Sequence, residues 1–197
     1  MAPDPDAALM VAFRGGDESA FRALFEKHGR AMVAFCNRFV RDPARAEELT
    51  QDVFLSLYRA ADRYQPSARF GTFLYRIATN ACLNEVRRGD HGTRAETDPR
   101  SEDGAPLDPD ALPSGGPSPE DEAHGQALAG ALQRVLAGLP EKQRAAFVLC
   151  RFQGLSYDDI AEVLGVSAPA VKSLVHRATV AAAAALAPYA GEEGARA

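Results

Sequence analysis

Large apolar residues recur every three or four positions in both end segments of the chain, which is the spacing of one face of an α-helix. Three such helices are predicted within residues 17–88. Their inward faces are Phe21, Leu24, Phe25, His28, Met32, Phe35 and Phe39, then Leu49, Val53, Phe54 and Leu57, then Leu74, Ile77, Ala78 and Ala81. Because strand-like alternation is weak throughout, the pattern predicts an all-α fold whose helices form bundles.

The ends of these helices are marked by residues with known end preferences. Asp42 followed by Pro43 predicts the start of the second helix, and Thr72 is the expected cap of the third. The opening residues, MAPDPDAAL, are expected to form a short polar tail. The last helix is expected to continue until Pro188, and the residues after it should fray.

Residues 89–122 interrupt the helical pattern. They are rich in Pro, Gly, Ser and Asp and contain almost no large apolar residue, so they cannot offset the entropy lost on ordering. This composition predicts a flexible acidic linker between two small helical domains at residues 1–88 and 123–190. The linker also explains the net charge of −5, because it carries −8 whereas residues 1–88 carry +2 and residues 123–197 carry +1.

Residues 154–178, GLSYDDIAEVLGVSAPAVKSLVHRA, have the pattern of a helix-turn-helix unit. Ser156 and Asp159 suit a capping box, Gly165 supplies the positive φ of the turn, and Ser167 suits the cap of the next helix. Short and cationic side chains on the outward face of that helix would reach base edges and phosphates: Ser167, Ala168, Pro169, Lys172, Ser173, His176 and Arg177. The alternative is an ordinary helical hairpin with a solvated polar face.

The stretch from Arg41 to Arg88 resembles region 2 of the sigma-70 family of bacterial RNA polymerase initiation factors, in its extracytoplasmic function (ECF, group IV) subfamily. The resemblance lies in Glu47, Glu48, Leu49, Gln51, Asp52, Val53 and Phe54, followed by Phe70, Thr72, Phe73, Leu74, Tyr75, Arg76, Ile77, Ala78 and Asn80. Residues 123–188, which include LPEKQRAAFVLCRFQGLSYDDIAEVLGV, resemble region 4 of the same family. Both motifs occur in the family's order.

The resemblance implies a transcription initiation factor, not an enzyme, that binds core RNA polymerase, reads the −35 and −10 promoter elements and promotes DNA opening. Core polymerase binding would fall to Glu47, Glu48, Gln51 and Asp52. Reading of the −10 element would fall to Tyr75, Arg76, Asn80, Asn84, Arg87 and Arg88. The helix-turn-helix would read the −35 element.

The partners that the resemblance implies are core polymerase, promoter DNA and an anti-sigma factor. The implied location is cytoplasmic, with sequestration at the membrane if that anti-sigma factor is membrane-bound. Neither a cofactor, a metal nor a small-molecule substrate is expected. In the family the linker threads through the polymerase active-site cleft, and the alternative is a spacer that only sets the distance between two DNA readers.

The chain departs from the family pattern at two places. Family members usually have Trp near position 73, where this chain has Phe73 and no Trp at all. Tyr64, Phe70 and Tyr75 are candidates for a stacking surface that holds a flipped base, whereas Phe73 is expected in the core. In the second helix of the helix-turn-helix, Ala170 and Leu174 replace a hydroxyl residue and often an Arg, so the −35 preference is expected to differ.

Three other classes of protein compete with this interpretation. A helix-turn-helix regulator that acts alone would need a receiver domain, a ligand domain or a dimer interface, and the first segment has no such pattern. An enzyme would need clustered chemistry, but the four His residues are scattered and no phosphate-binding loop appears. A helical adaptor would not explain the capped helix-turn-helix. The odd count of three Cys residues favours reduced, structural thiols.

Overall fold

The computed structural model describes residues 4–65, 69–92 and 119–190. The described chain consists of helices and connecting turns without a strand, which confirms the all-α prediction. The helices are α1 (Pro5–Arg14), α2 (Glu18–Val40), α3 (Pro43–Arg59), a 3₁₀ turn η1 (Ala61–Arg63), α4 (Phe70–Gly92), α5 (Pro119–Gly138), α6 (Glu141–Arg151), α7 (Tyr157–Leu164) and α8 (Ala168–Ala190).

Helices α1 to α4 form an N-terminal bundle around α2, which packs against each of the other three. The fully buried side chains at its centre are Met10, Leu24, Met32, Phe35, Val53, Leu57, Tyr64, Phe70 and Leu74. Local capping fixes where two of these helices begin. Asp17 accepts a hydrogen bond from the Ser19 amide, and Asp42 accepts one from the Arg45 amide, as the preference of Asp for this position predicts.

Helices α5 to α8 form a C-terminal bundle in which α8 packs against α5, α6 and α7. Leu136, Leu149, Ile160 and Val171 are fully buried there. Arg144 is also buried, and its guanidinium donates to the Ala137 carbonyl at 2.7 Å and to the Phe39 carbonyl of the N-terminal bundle at 3.3 Å. None of the helices in the described part of the chain is long and apolar enough to cross a membrane.

The two bundles are in direct contact. Helix α7 lies along α4, and α5 touches α2. The Arg38 guanidinium stacks 3.9 Å above the Phe152 ring. Beside this pair, a cavity of about 80 Å³ contains the buried side-chain oxygens of Asn37 and Gln133, which accept no hydrogen bond from a described residue. We call this packing of α1–α4 on α5–α8 the closed arrangement.

Four predictions about where elements begin and end were wrong. The opening residues are not a tail, because Asp4 caps α1 and the apolar side of α1 is buried. Thr72 does not cap α4, which begins two residues earlier at Phe70. Residues 89–92 and 119–122 were predicted to be linker but belong to α4 and α5, and the rest of the predicted linker lies outside the described residues. Helix α8 passes through Pro188 to Ala190.

Candidate nucleic-acid interface

The turn between α7 and α8 has the geometry that its sequence predicts. The Ser156 hydroxyl accepts from the Asp159 amide at 3.1 Å, while the Asp159 carboxylate accepts from the Ser156 amide at 3.3 Å. Gly165 ends α7 in the left-handed region, with φ 60° and ψ 43°. The Ser167 hydroxyl then accepts from the Ala170 amide at 3.4 Å at the start of α8. These contacts fix the angle between the two helices.

The first turns of α8 have one buried side and one open side. Val171 and Val175 are buried against α6 and α7, and Leu174 is partly buried. Every residue predicted to read the −35 element lies off that buried side. Ser167, Pro169, Lys172, Ser173, His176 and Arg177 are exposed and Ala168 is half-buried. The structure therefore brings the predicted set together on one accessible surface that includes two cations, Lys172 and Arg177.

The residues predicted to bind core polymerase share the outer side of α3. Glu47, Glu48, Gln51 and Asp52 are all exposed. Glu47 and Gln51 line one wall of an open groove of about 360 Å³ between α3 and α2, and the opposite wall includes Phe25, Gly29 and Val33. Phe25 was predicted to be inward, but 44% of it is exposed at this groove. The groove therefore combines charged side chains of both signs, Glu26, Glu47 and Arg30, with an apolar floor.

Arg45 fixes the position of α3 against α4. It donates to Glu85 on α4 at 2.8 Å and to Glu48 on its own helix at 2.6 Å. The hydrogen bond from Arg45 holds the pKa of the Glu85 carboxyl below its ordinary value. Glu48, one of the predicted polymerase contacts, is therefore already held in place by a neighbouring cation.

The residues predicted to read the −10 element are divided between two environments. Asn80, Asn84 and Arg88 are exposed along α4. The other three face the C-terminal bundle: the Tyr75 hydroxyl bonds to the Gln153 side chain, Arg76 lies 3.9 Å from Glu162, and Arg87 pairs with Glu141 at 2.7 Å. Burial raises the pKa of Tyr75 to about 12, although the neighbouring Arg38 charge opposes this.

Asp159 extends the contact between α7 and the start of α4. Its carboxylate accepts from the Thr72 hydroxyl at 3.2 Å and lies 3.6 Å from the Arg69 guanidinium. Partial burial works to raise the pKa of Asp159, but the hydrogen bonds from Ser156 and Thr72 and the Arg69 charge outweigh it and lower that pKa. Asp159, a capping residue of the helix-turn-helix, therefore also forms a hydrogen bond with α4.

The predicted aromatic stacking surface is not on the surface. Tyr64, Phe70 and Tyr75 are at least nine-tenths buried, and so is Phe73, which was expected in the core. The rings pack on one another, with centroids 5.2 Å apart for Tyr64 and Phe73 and 6.3 Å apart for Tyr64 and Phe70. Burial of so much apolar area outweighs any gain from leaving the rings in water. In the closed arrangement these aromatics are core residues.

Sequence reasoning missed the residues of the C-terminal bundle that contact α4. Gln153, Glu162 and Glu141 were not singled out, since an acidic or amide side chain on a helix surface is usually solvated. The available signal was charge complementarity, because the outward cations of α4 would suit acidic groups on α6 and α7. Charge complementarity alone does not identify which acidic side chain pairs with which cation of α4, because the linker separates the two segments in the sequence.

Comparison with known proteins matches each bundle to a family model. The family model "Sigma-70 region 2" matches residues 24–91, and "Sigma-70, region 4" matches residues 129–180. The RNA polymerase sigma-H factor of Pseudomonas aeruginosa is 32% identical over 95% of this chain and 97% of its own length. This chain belongs to the sigma-70 family. Sigma factors direct RNA polymerase to promoters.

Further comparisons define the group and the fold. The ECF RNA polymerase sigma factor SigE of Mycolicibacterium smegmatis is 36% identical over 82% of this chain, but this chain spans only 61% of the length of that relative. The sigma factor RpoE of Bartonella quintana, solved in complex with the anti-sigma factor NepR, superposes with a TM-score of 0.62 at 21% identity. That alignment covers 84% of this chain and 96% of the other, and it shows a shared fold.

Proposed function

We propose that this sigma factor recognises promoters with two helices, α8, whose reading face is exposed in the closed arrangement, and α4, which is partly covered in it. The exposed face of α8 reads the −35 element, with Lys172 and Arg177 on phosphates and Ser173 and His176 near base edges. Helix α4 reads and opens the −10 element through Asn80 and Asn84, whose amides offer both donors and acceptors to an unstacked base. The protein itself catalyses no covalent step.

Core polymerase is proposed to bind at the groove between α2 and α3. Charged side chains around an apolar floor suit a protein interface, because the charges orient the partner and burial of the apolar side chains supplies affinity. Glu47 and Gln51 line the groove, Asp52 is exposed on the same helix, and Phe25 offers an aromatic anchor. All of these groups are exposed in the closed arrangement, so polymerase can engage the N-terminal bundle before the two bundles separate.

The closed arrangement covers part of the −10 reader, and the two bundles must separate before α4 can use all six predicted residues. Tyr75, Arg76 and Arg87 are each paired with a side chain of the C-terminal bundle. DNA phosphates can replace Glu162 and Glu141 as partners of the two arginines, since both are anions of similar reach. This pairing is the single observation that carries the proposal, because it places the predicted DNA contacts opposite acidic groups that mimic DNA.

An anti-sigma factor is proposed as the partner that keeps the bundles together. Support comes from the solved Bartonella quintana sigma factor of similar fold, which was captured with an anti-sigma factor. The stand-alone regulator is the weaker alternative. Action on polymerase also places the protein in the cytoplasm, with membrane sequestration following only if its partner is anchored there.

The deciding experiment combines the protein with bacterial core RNA polymerase and a library of random duplexes, followed by sequencing of transcript start sites. Transcripts from templates that share two spaced motifs, absent with core enzyme alone, are expected. Tight binding to DNA without polymerase, together with no change in initiation, would instead establish a stand-alone regulator. The selected duplex, called here the selected promoter, serves in the tests below.

The role of the closed arrangement is tested with two variants of α7. Glu162→Gln removes the partner of Arg76, whereas Asp158→Asn removes an exposed carboxylate of the same helix that lies off the α4 contact. Because one partly exposed ion pair contributes at most about 1 kcal/mol, Glu162→Gln is expected to strengthen binding of the free protein to single-stranded −10 DNA by no more than about fivefold. Equal behaviour of the two variants would show that the contact does not restrain α4.

A further inference from the structure

Helix α1 contacts the chain on both sides of the point where α4 begins. On one side lies Tyr64, the residue after η1, and on the other lies Phe70, the first residue of α4. The anchoring residues of α1 lie before residue 24, where the match to the region 2 family model starts. Neither the sequence motifs nor the family comparison gave this helix a role.

Asp4 connects the start of α1 with the start of α4. One carboxylate oxygen accepts from the Asp6 amide at 3.0 Å and caps α1, while the other accepts from the Phe70 amide at 2.9 Å. The first amides of a helix have no intrahelical acceptor, so an anion there both satisfies a donor and stabilises the helix dipole. A residue 66 positions away in the sequence therefore supplies an acceptor for the first amide of α4.

Arg14, the last residue of α1, makes the second contact, with the segment that precedes α4. Its guanidinium donates to the Tyr64 carbonyl at 3.1 Å. Between the two anchors, Met10 is fully buried and Phe13 is nearly so, which fixes α1 against the bundle. The distance from Asp4 to Arg14 is thus set by a rigid helix of ten residues, and Tyr64 and Phe70 are held at matching positions.

Asp6 adds a third attachment, to α2. Its carboxylate accepts from Lys27 at 2.6 Å and bonds to His28 at 2.9 Å. The His28 ring in turn packs on the Phe70 ring, with centroids 5.3 Å apart. The start of α1 is therefore tied to α2 and α4 together, which is more than the burial of an apolar stripe requires.

We propose that α1 is a positioning element for −10 recognition: Asp4 and Arg14 fix where α4 begins, and thereby which side chains α4 presents to DNA. The inference rests on the proposed role of α4 as the −10 reader. Its physical basis is helix geometry, because one residue of shift in a helix rotates every side chain by about 100° about the axis. Loosening of the start of α4 would therefore make the orientation of its exposed side chains Arg76, Asn80 and Asn84 less defined.

The test uses Asp4→Asn and a matched control, Asp17→Asn. Asp17 caps α2 by accepting from the Ser19 amide, as Asp4 caps α1, and the hydrogen-bond partners recorded for its carboxylate, Ser19 and Ala20, both lie on α2. Asn keeps one acceptor oxygen, which can maintain either cap, but its NH₂ group replaces the second carboxylate oxygen and cannot accept from the Phe70 amide. Each variant, in complex with core polymerase, is assayed on the selected promoter and on derivatives with single −10 substitutions.

Asp4→Asn is expected to slow open-complex formation on the selected promoter by roughly tenfold, the low end of the effect of one lost hydrogen bond to a charged group. It should also reduce the ratio between initiation from the selected promoter and from −10 derivatives. Affinity for core polymerase and discrimination between −35 variants should stay within about twofold of wild type. Asp17→Asn should leave all four quantities near wild type.

A second variant, Arg14→Met, removes the other anchor and should give the same −10-specific pattern. The proposal is overturned if Asp4→Asn and Asp17→Asn behave alike, or if −10 discrimination, −35 discrimination and polymerase affinity all fall together, which would indicate only a less stable fold. Failure of the wild-type holoenzyme to initiate on any template would contradict the proposed function instead, and that result is seen before any variant is made.

Discussion

Gly165 gives the sharpest test of the helix-turn-helix, because its effect can be separated from packing. Its φ of 60° is in the left-handed region, and a Cβ built on it meets no atom within 4 Å. Replacement by Ala therefore introduces backbone strain without a steric clash. For an L-residue that strain costs about 1–2 kcal/mol. We expect Gly165→Ala to destabilise the protein by this amount.

Gly138 is the matched control. It is the last residue of α5, and a Cβ there also meets nothing within 4 Å, but its φ is not positive. Gly138→Ala should therefore be neutral or should stabilise the protein by up to about 1 kcal/mol, because Ala restricts the unfolded chain without strain in the fold. The two substitutions add the same methyl group and differ in backbone conformation, so opposite signs are expected.

Thermal unfolding followed by circular dichroism measures the difference. At about 2–4 °C per kcal/mol for a chain of this size, Gly165→Ala should lower the midpoint by roughly 2–8 °C. Gly165→Asn should lower it less, because Asn tolerates the left-handed region. Equal midpoints for Gly165→Ala and Gly138→Ala would refute the reasoning, since they would mean that the turn does not depend on a left-handed residue.

Three further predictions concern DNA binding, pH and the contact between bundles. Lys172→Ala should weaken holoenzyme binding to all promoters alike and should lower the slope of log affinity against log salt by about one in a salt titration. Burial opposes ionisation of Asp6, but hydrogen bonds from Lys27 and His28 lower its pKa below 3.8. The resulting stability is present above pH 3.8 and is lost as the pH falls through the lower folded-state pKa, so Asp6→Asn should flatten the acid limb of a melting-temperature profile. Arg144→Met leaves two main-chain carbonyls without their donor and should cost about 2–3 kcal/mol in urea unfolding.

The features that could be predicted from sequence are those set by residues close together in the chain. Ser156, Asp159 and Gly165 lie within ten positions of one another, and their capping box and left-handed turn both form as expected. The spacing of apolar residues and the composition also predict the all-α fold, because helical spacing indicates that one face of a helix is buried, whichever element it packs against. Asp42 behaves as predicted for the same local reason.

The features that could not be predicted depend on residues far apart in the chain. Thr72 was a reasonable cap from its neighbours, but Asp4, 66 positions earlier in the chain, supplies the acceptor at the start of α4. A helix start can then lie two residues earlier than its local signals indicate. Tyr75 likewise has a polar end that suits DNA, yet its hydroxyl is bonded to Gln153 across the contact between bundles. Neither contact can be predicted from a local sequence pattern, because the residues that form it are 66 and 78 positions apart.

The composition of the contact between bundles argues that it is built to separate. Its ion pairs are partly exposed, so each contributes little and is weakened by salt. Asn37 and Gln133 also place polar side-chain oxygens in this contact, beside a cavity of about 80 Å³. A permanent interface would replace such groups with apolar ones. The closed arrangement therefore holds by a small margin, and a polymerase surface or a promoter that binds either bundle can supply the free energy to open it.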